Sequence, residues 1–144
     1  MPLHMLKLCV GATSVADLQA WTRQRAEAKK LGASGPLGHA TRMTPKRADE
    51  LLDGGSLYWV IKGQIAARQR LVGLEPIVGA DNVRRCVLLL DDEIVLVQPR
   101  PFRAFQGWRY LTASDAPPDL AAGGGEIAEM PEEMRRELGD LGLL

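Results

Sequence analysis

Apolar side chains alternate from Leu3 to Val10, with Leu6, Leu8 and Val10 on one face, and this strand period ends at Gly11. At Ser14 the period changes. Val15, Leu18, Trp21 and Thr22 recur at steps of three and four, as on a helix headed by a Ser14 cap with Asp17 three residues on. Lys29, Lys30 and Gly32 close that helix, cations before glycine. Residues 33–38 form a connector, and His39 to Met43 a short strand. Thr44-Pro45 reads as a cap with proline at the first turn of a helix over 45–53, which Gly54-Gly55 stops.

From Ser56 the pattern is denser. Ser56 to Ile61 is a strand with Leu57, Trp59 and Ile61 on a core face and Tyr58 and Val60 on a wetter one that Lys62 extends. Gly63 marks a bend or bulge, and Gln64 to Val72 continues as a strand. Val83–Leu90 and Glu93–Gln98 are expected to form a hairpin turned at Asp91-Asp92. Gly107–Leu111 is a last short strand. Pro131 to Leu138 is a short amphipathic helix with Met134 and Leu138 on its apolar side. Clustered strands with helices at the first connection and at the end predict an α+β fold: a small curved mixed β-sheet or partly closed barrel, two main helices packed on it, and a short C-terminal helix.

At 144 residues the chain fits one domain, expected over 1–111, with a Pro/Gly-rich linker over 112–130 and an acidic helical tail over 131–144. The zero net charge hides a division. Sixteen Lys and Arg face ten acids in residues 1–111, while Arg135 and Arg136 face eight acids beyond. A basic body and an acidic tail point to an anionic partner for the body and a tail that competes for it or docks on a protein. Cys9 and Cys86 each sit in an apolar run, as small buried hydrophobes of a reducing compartment. With no signal-peptide pattern at the start and no apolar run of membrane length, the chain reads as cytoplasmic, with no membrane partner.

Catalytic motifs do not emerge. There is no phosphate-binding glycine loop, nucleophile elbow or zinc-binding helix, and His4 and His39 have no Cys or His beside them. No metal or cofactor is expected, and catalysis is the least favoured class. Asp91-Asp92-Glu93 suits a turn better than a cation site. The basic residues are more informative. Arg42, Lys46 and Arg47 flank a helix start, where free N–H groups attract anions. Lys62, Arg68 and Arg70 line the following strands, and Tyr58 and Trp108, the latter beside Arg109, offer rings. Cations that follow phosphates and a ring that stacks a base are what single-stranded RNA or a nucleotide-like anion requires. A small non-catalytic binding module is the leading reading; a protein-interaction module built on the tail is second, and an enzyme for a small anionic substrate third.

The segment Arg42-Met43-Thr44-Pro45-Lys46-Arg47, the string Gly54-Gly55-Ser56-Leu57-Tyr58-Trp59-Val60-Ile61-Lys62-Gly63 and the run Phe105-Gln106-Gly107-Trp108-Arg109-Tyr110-Leu111 resemble a family of uncharacterised bacterial proteins, the DUF1489 type. More loosely, Asp49-Glu50-Leu51-Leu52-Asp53-Gly54-Gly55 is similar to the helix-to-strand turn of PUA-like small barrels, including the ASCH type. That second resemblance implies a PUA-like barrel and RNA or modified-base binding. The Ser56-Leu57-Tyr58 that follows departs from the Lys, Glu and Arg of the ASCH pattern.

Overall fold

The computed structural model describes residues 3–9, 14–30, 38–41, 44–78, 80–91, 93–103, 108–119 and 131–140. In chain order the elements are β1 (His4–Leu8), α1 (Val15–Lys30), β2 (Gly38–Thr41), α2 (Ala48–Leu52), β3 (Ser56–Ile61), β4 (Gln64–Val78), β5 (Arg84–Leu90), β6 (Val95–Pro101), β7 (Trp108–Leu111) and α3 (Glu132–Asp140). Among the described residues the strands make one mixed sheet in the order β2-β5-β4-β3-β1-β7, with β6 also on β4. Of these strand pairs, β1 with β3 is the parallel one. The sheet has two ends, β2 and β7, so it is the curved mixed sheet of an α+β fold and not a closed barrel.

Strand β4 organises the rest. Its first half pairs with β3 across a two-residue turn, Lys62-Gly63, whose φ values of 49° and 78° are both positive. That is the backbone of a primed hairpin turn, and glycine at its second position adopts it without strain. The tight hairpin therefore lies here and not at Asp91-Asp92. Both β5 and β6 run antiparallel to β4, on Leu71–Val78 and Gln64–Arg68 respectively. They follow one another along the same neighbour, so the segment around Asp91 interrupts an extended run where a reversal was expected. A long continuous template strand decided against the local turn preference of the aspartates.

Burial divides the sheet into two faces. Leu57, Trp59 and Ile61 join Met5, Ala67, Leu71, Cys86, Leu88, Leu90 and Trp108 in the larger core, beneath Val15 and Leu18 of α1 and Leu51 of α2. The Trp59 Nε1–H donates to Gln69 Oε1 at 2.8 Å, and Gln69 Nε2 donates to the Asp91 carbonyl at 2.9 Å, so neither buried polar group is orphaned. The opposite face is also dry. Leu6, Tyr58, Val60, Ile65, Val97 and Leu111 form a second core, with Phe102 and Ala116 packed on it. The segment after β7 lies along β6 there, through Gln98 N–H to the Pro118 carbonyl and a bridge between Val97 and Asp119.

The helices differ from the pattern in detail. Ser14 Oγ accepts the Asp17 N–H at 3.1 Å, the cap expected for α1. Helix α2 begins at Ala48, not at residue 45. Arg47 holds the N-cap position without a side-chain cap, and Pro45 is buried ahead of it. Gly55 follows α2 where a Cβ would meet the carbonyl oxygens of Leu51 and Leu3 at 2.2 and 2.3 Å, a packing that only glycine allows. Helix α3 packs against β6. Its Met134 is 52% exposed, contrary to its place in the apolar stripe, while Leu138 is half-buried.

Candidate functional site

On β7, residues two apart share a face, which puts Trp108 and Tyr110 side by side at one end of the sheet. Their rings meet edge to face, with centroids 4.9 Å apart and planes at 78°. The chain leading into α2 crosses in front of them. The Tyr110 hydroxyl accepts the backbone N–H groups of Lys46 at 3.0 Å and of Arg47 at 3.1 Å. It ties down the backbone at and just ahead of the N-cap of this helix. The Arg47 guanidinium lies 5.7 Å from the Tyr110 ring centroid and grips both oxygens of Glu50.

Thr44, Lys46, Trp108, Arg109 and Tyr110 together enclose a cleft of about 380 Å³. Its wall is the aromatic pair, and Lys46 and Arg109 are exposed cations at its rim. Of the expected site residues, Lys46, Trp108 and Arg109 meet here. Arg47 stands beside them with its charge paired to Glu50. Tyr110 and Thr44 were not among the expected site residues. The signal for Tyr110 is its two-residue spacing from Trp108, whereas Thr44 carries only the pattern of a helix cap.

A second cleft, of about 370 Å³, is lined by Arg68, Arg70, Asp91, Glu93, Val95 and Asp119. Arg68 donates to both oxygens of Asp119, each at 2.8 Å, and to Ser56 Oγ at 3.0 Å. That fork holds the Asp119 carboxyl below the usual carboxylate range. Two guanidinium groups therefore share a cleft with three carboxylates, and Arg68, expected to hold phosphate, is already paired.

Tyr58 is not on a wet surface. It is 4% exposed, within the second core, with its ring edge to face with His4 at 5.1 Å. The second face was expected to be solvated, but Leu111, Val97 and the segment after β7 cover it. Burial pushes the Tyr58 phenol up. His4 Nδ1 accepts the Ser56 N–H at 3.0 Å, and burial with nearby Arg68 holds the imidazole below its ordinary value. Lys62 is exposed at the apex of the β3–β4 turn and lines neither cleft. Arg42 lies outside the described residues. Among the described residues, no group of three or more His, Cys, Asp or Glu could hold a metal ion, and no helix is long and apolar enough to cross a membrane.

The family model of DUF1489, a protein of unknown function, matches residues 5–144. The chain belongs to the DUF1489 family. The matched region runs from β1 through α3, so both the aromatic cleft and the docked C-terminal helix of this DUF1489 protein lie inside it. No curated protein and no solved structure matches the chain.

Proposed function

We propose that this DUF1489 protein is a small, non-catalytic, cytoplasmic binding module that takes a nucleotide-like anion, free or at a position in RNA, in the cleft of Trp108 and Tyr110. The observation that carries this reading is one cavity combining an aromatic wall with exposed cations at its rim. A planar base finds ring surface on half-buried Tyr110, which the buried Trp108 backs edge to face, and its phosphate finds Lys46 and Arg109. Ring contacts of this kind contribute roughly 1–3 kcal/mol per base. The mixed-charge cleft around Arg70 offers phosphate no comparable field. The cytoplasmic part rests on Cys9 and Cys86, both buried thiols outside any disulfide.

The rival reading, in which the acidic tail is an arm for a protein partner, draws less support. In α3, Glu132 accepts the N–H groups of Val15 at 2.9 and 3.1 Å and of Ala16 at 3.4 Å, and the Arg136 carbonyl accepts from Gln64 Nε2 at 2.7 Å. Those groups are engaged within the chain.

Fluorescence anisotropy of a labelled mixed-sequence RNA across a salt series tests the proposal on the full chain. Lys46→Ala with Arg109→Ala is expected to weaken binding by about tenfold or more. The salt slope should flatten by up to about two units, one for each phosphate that no longer meets a cation. Equal affinity of the double variant and the parent would overturn the cleft as the site.

A further inference from the structure

The second cleft suits phosphate poorly, yet its own charges are left unmatched. Arg68 and Asp119 satisfy each other through two hydrogen bonds of 2.8 Å. Subtracting that pair leaves one cation, Arg70, and two carboxylates, Asp91 and Glu93. Arg70 and Asp91 are held as neighbours where β5 ends beside β4, the Asp91 N–H donating to the Arg70 carbonyl at 3.0 Å. The Asp91 carbonyl accepts from buried Gln69 at 2.9 Å, and its carboxylate accepts the Glu93 N–H at 3.3 Å. Backbone and side-chain bonds thus fix where all three charges start. Even so, among the described residues no ion pair joins Arg70 to either carboxylate. They border one space of about 370 Å³, to which Val95 adds an apolar contact. Opposite charges that share a cleft without meeting leave room for a molecule that joins them.

We infer that this cleft binds a free basic α-amino acid, with its carboxylate on Arg70, its α-ammonium on Asp91 and its side-chain cation on Glu93. The ligand's one anion and two cations mirror the one cation and two anions of the cleft. An α-carboxylate and α-ammonium share a single carbon, which matches the adjacency of Arg70 and Asp91. The guanidinium takes a carboxylate through two parallel N–H donors, and an ammonium offers three donors to carboxylate oxygens. The methylenes between the two cations lie on Val95, as a lysine stem lies on apolar surface. A lysine inside a peptide lacks both α charges, so the cleft selects the free amino acid. This site is separate from the cleft of Trp108 and Tyr110 and does not rest on the nucleotide reading.

L-Lysine is the probe, titrated into the full-length protein at low salt and followed by backbone amide shifts in NMR. Saturating shifts are expected at Arg70, Asp91, Glu93 and Val95, with a Kd on the order of 1 mM for a cleft open to water. Norleucine lacks the side-chain cation, cadaverine the carboxylate and Nα-acetyl-lysine the α-ammonium. Each should bind about tenfold more weakly, the loss that follows removal of one charged hydrogen-bonding partner. Arg70→Ala should weaken lysine to the level of cadaverine, and Glu93→Gln should erase the advantage of lysine over norleucine. Both side chains are exposed, so either variant keeps the fold. Shifts that never saturate, or that are equal for lysine, norleucine and cadaverine, identify ordinary screening of surface charge and overturn the inference. Shifts centred on Trp108 and Tyr110 overturn it as well. RNA affinity measured on the same Arg70→Ala protein should equal that of the parent, so this inference and the nucleotide proposal fail separately.

Discussion

The two clefts differ little in volume, at about 380 and 370 Å³, and each carries two of the expected cations. Their chemistry is opposite. At the end of the sheet, Lys46 and Arg109 border a wall of rings. Across β4, Arg68 and Arg70 face Asp91, Glu93 and Asp119, with Arg68 locked to Asp119 and Ser56. A cation counts toward an anion site only after subtraction of the carboxylates that the fold brings beside it. Asp119 comes from 51 positions along the chain and turns Arg68 from a ligand group into a clasp for the segment that covers the second core.

The sharpest way to break both clefts at once is Gly55→Ala. Gly55 donates to the Leu51 carbonyl and accepts from the Leu71 N–H, each at 3.0 Å, so it ties α2 to β4. The added methyl meets two backbone oxygens, and a loss of about 3 kcal/mol in urea unfolding is expected. Next comes Arg68→Ala, which leaves Asp119 and Ser56 Oγ without their donor. About 2 kcal/mol of stability should go, with RNA affinity unchanged, while exposed Arg70→Ala changes neither. A matching loss of affinity in both arginine variants would move the proposed site to the second cleft. A smaller effect is expected of Tyr110→Phe. Removing the oxygen takes the acceptor from the Lys46 and Arg47 N–H groups at a solvent-exposed position, costing about 1 kcal/mol. It should also weaken nucleotide binding several-fold by loosening the segment that carries Lys46.

The smallest effect is a pH dependence confined to the second face. His4 titrates below its ordinary value of 6.5 in the folded protein, so the unfolded chain takes up its proton first on acidification. Its contribution to stability is complete above 6.5 and declines as pH falls from there towards the folded value. Urea midpoints at about pH 7 and pH 5 should show this decline in the parent and not in His4→Asn.

Much of the element order was legible because the period of apolar positions is a local property. The Ser14 cap, the β3 core face and the existence of a C-terminal helix followed from residues a few positions apart. What failed was long-range. Tyr58 looked solvated because alternation reveals two faces of a strand and not what covers the second. Asp91-Asp92 looked like a hairpin tip because turn propensity is local, whereas the 15-residue β4 that aligns β5 and β6 is a tertiary fact. Met134 turned outward because a nine-residue helix is oriented by its anchors. Arg68 and Arg70 were visible as cations, but their partners lie far away in sequence. Trp108 entered the site with Lys46 through Tyr110, whose hydroxyl bridges 64 positions to reach the α2 entry.

Glu132 sits 117 positions from the Val15 N–H group that it holds, and Arg136 braces its carboxylate at 2.9 Å. The first helix of this chain is thus finished by the last. During synthesis α1 emerges with Asp17 capped by Ser14 but with the Val15 and Ala16 amides open until Glu132 has cleared the ribosome. Those contacts therefore wait for the 117 positions that separate Val15 from Glu132 to be made. Binding measured on a fragment cut before residue 131 would report on that waiting state, with the Val15 and Ala16 amides unpaired, and not on the finished protein.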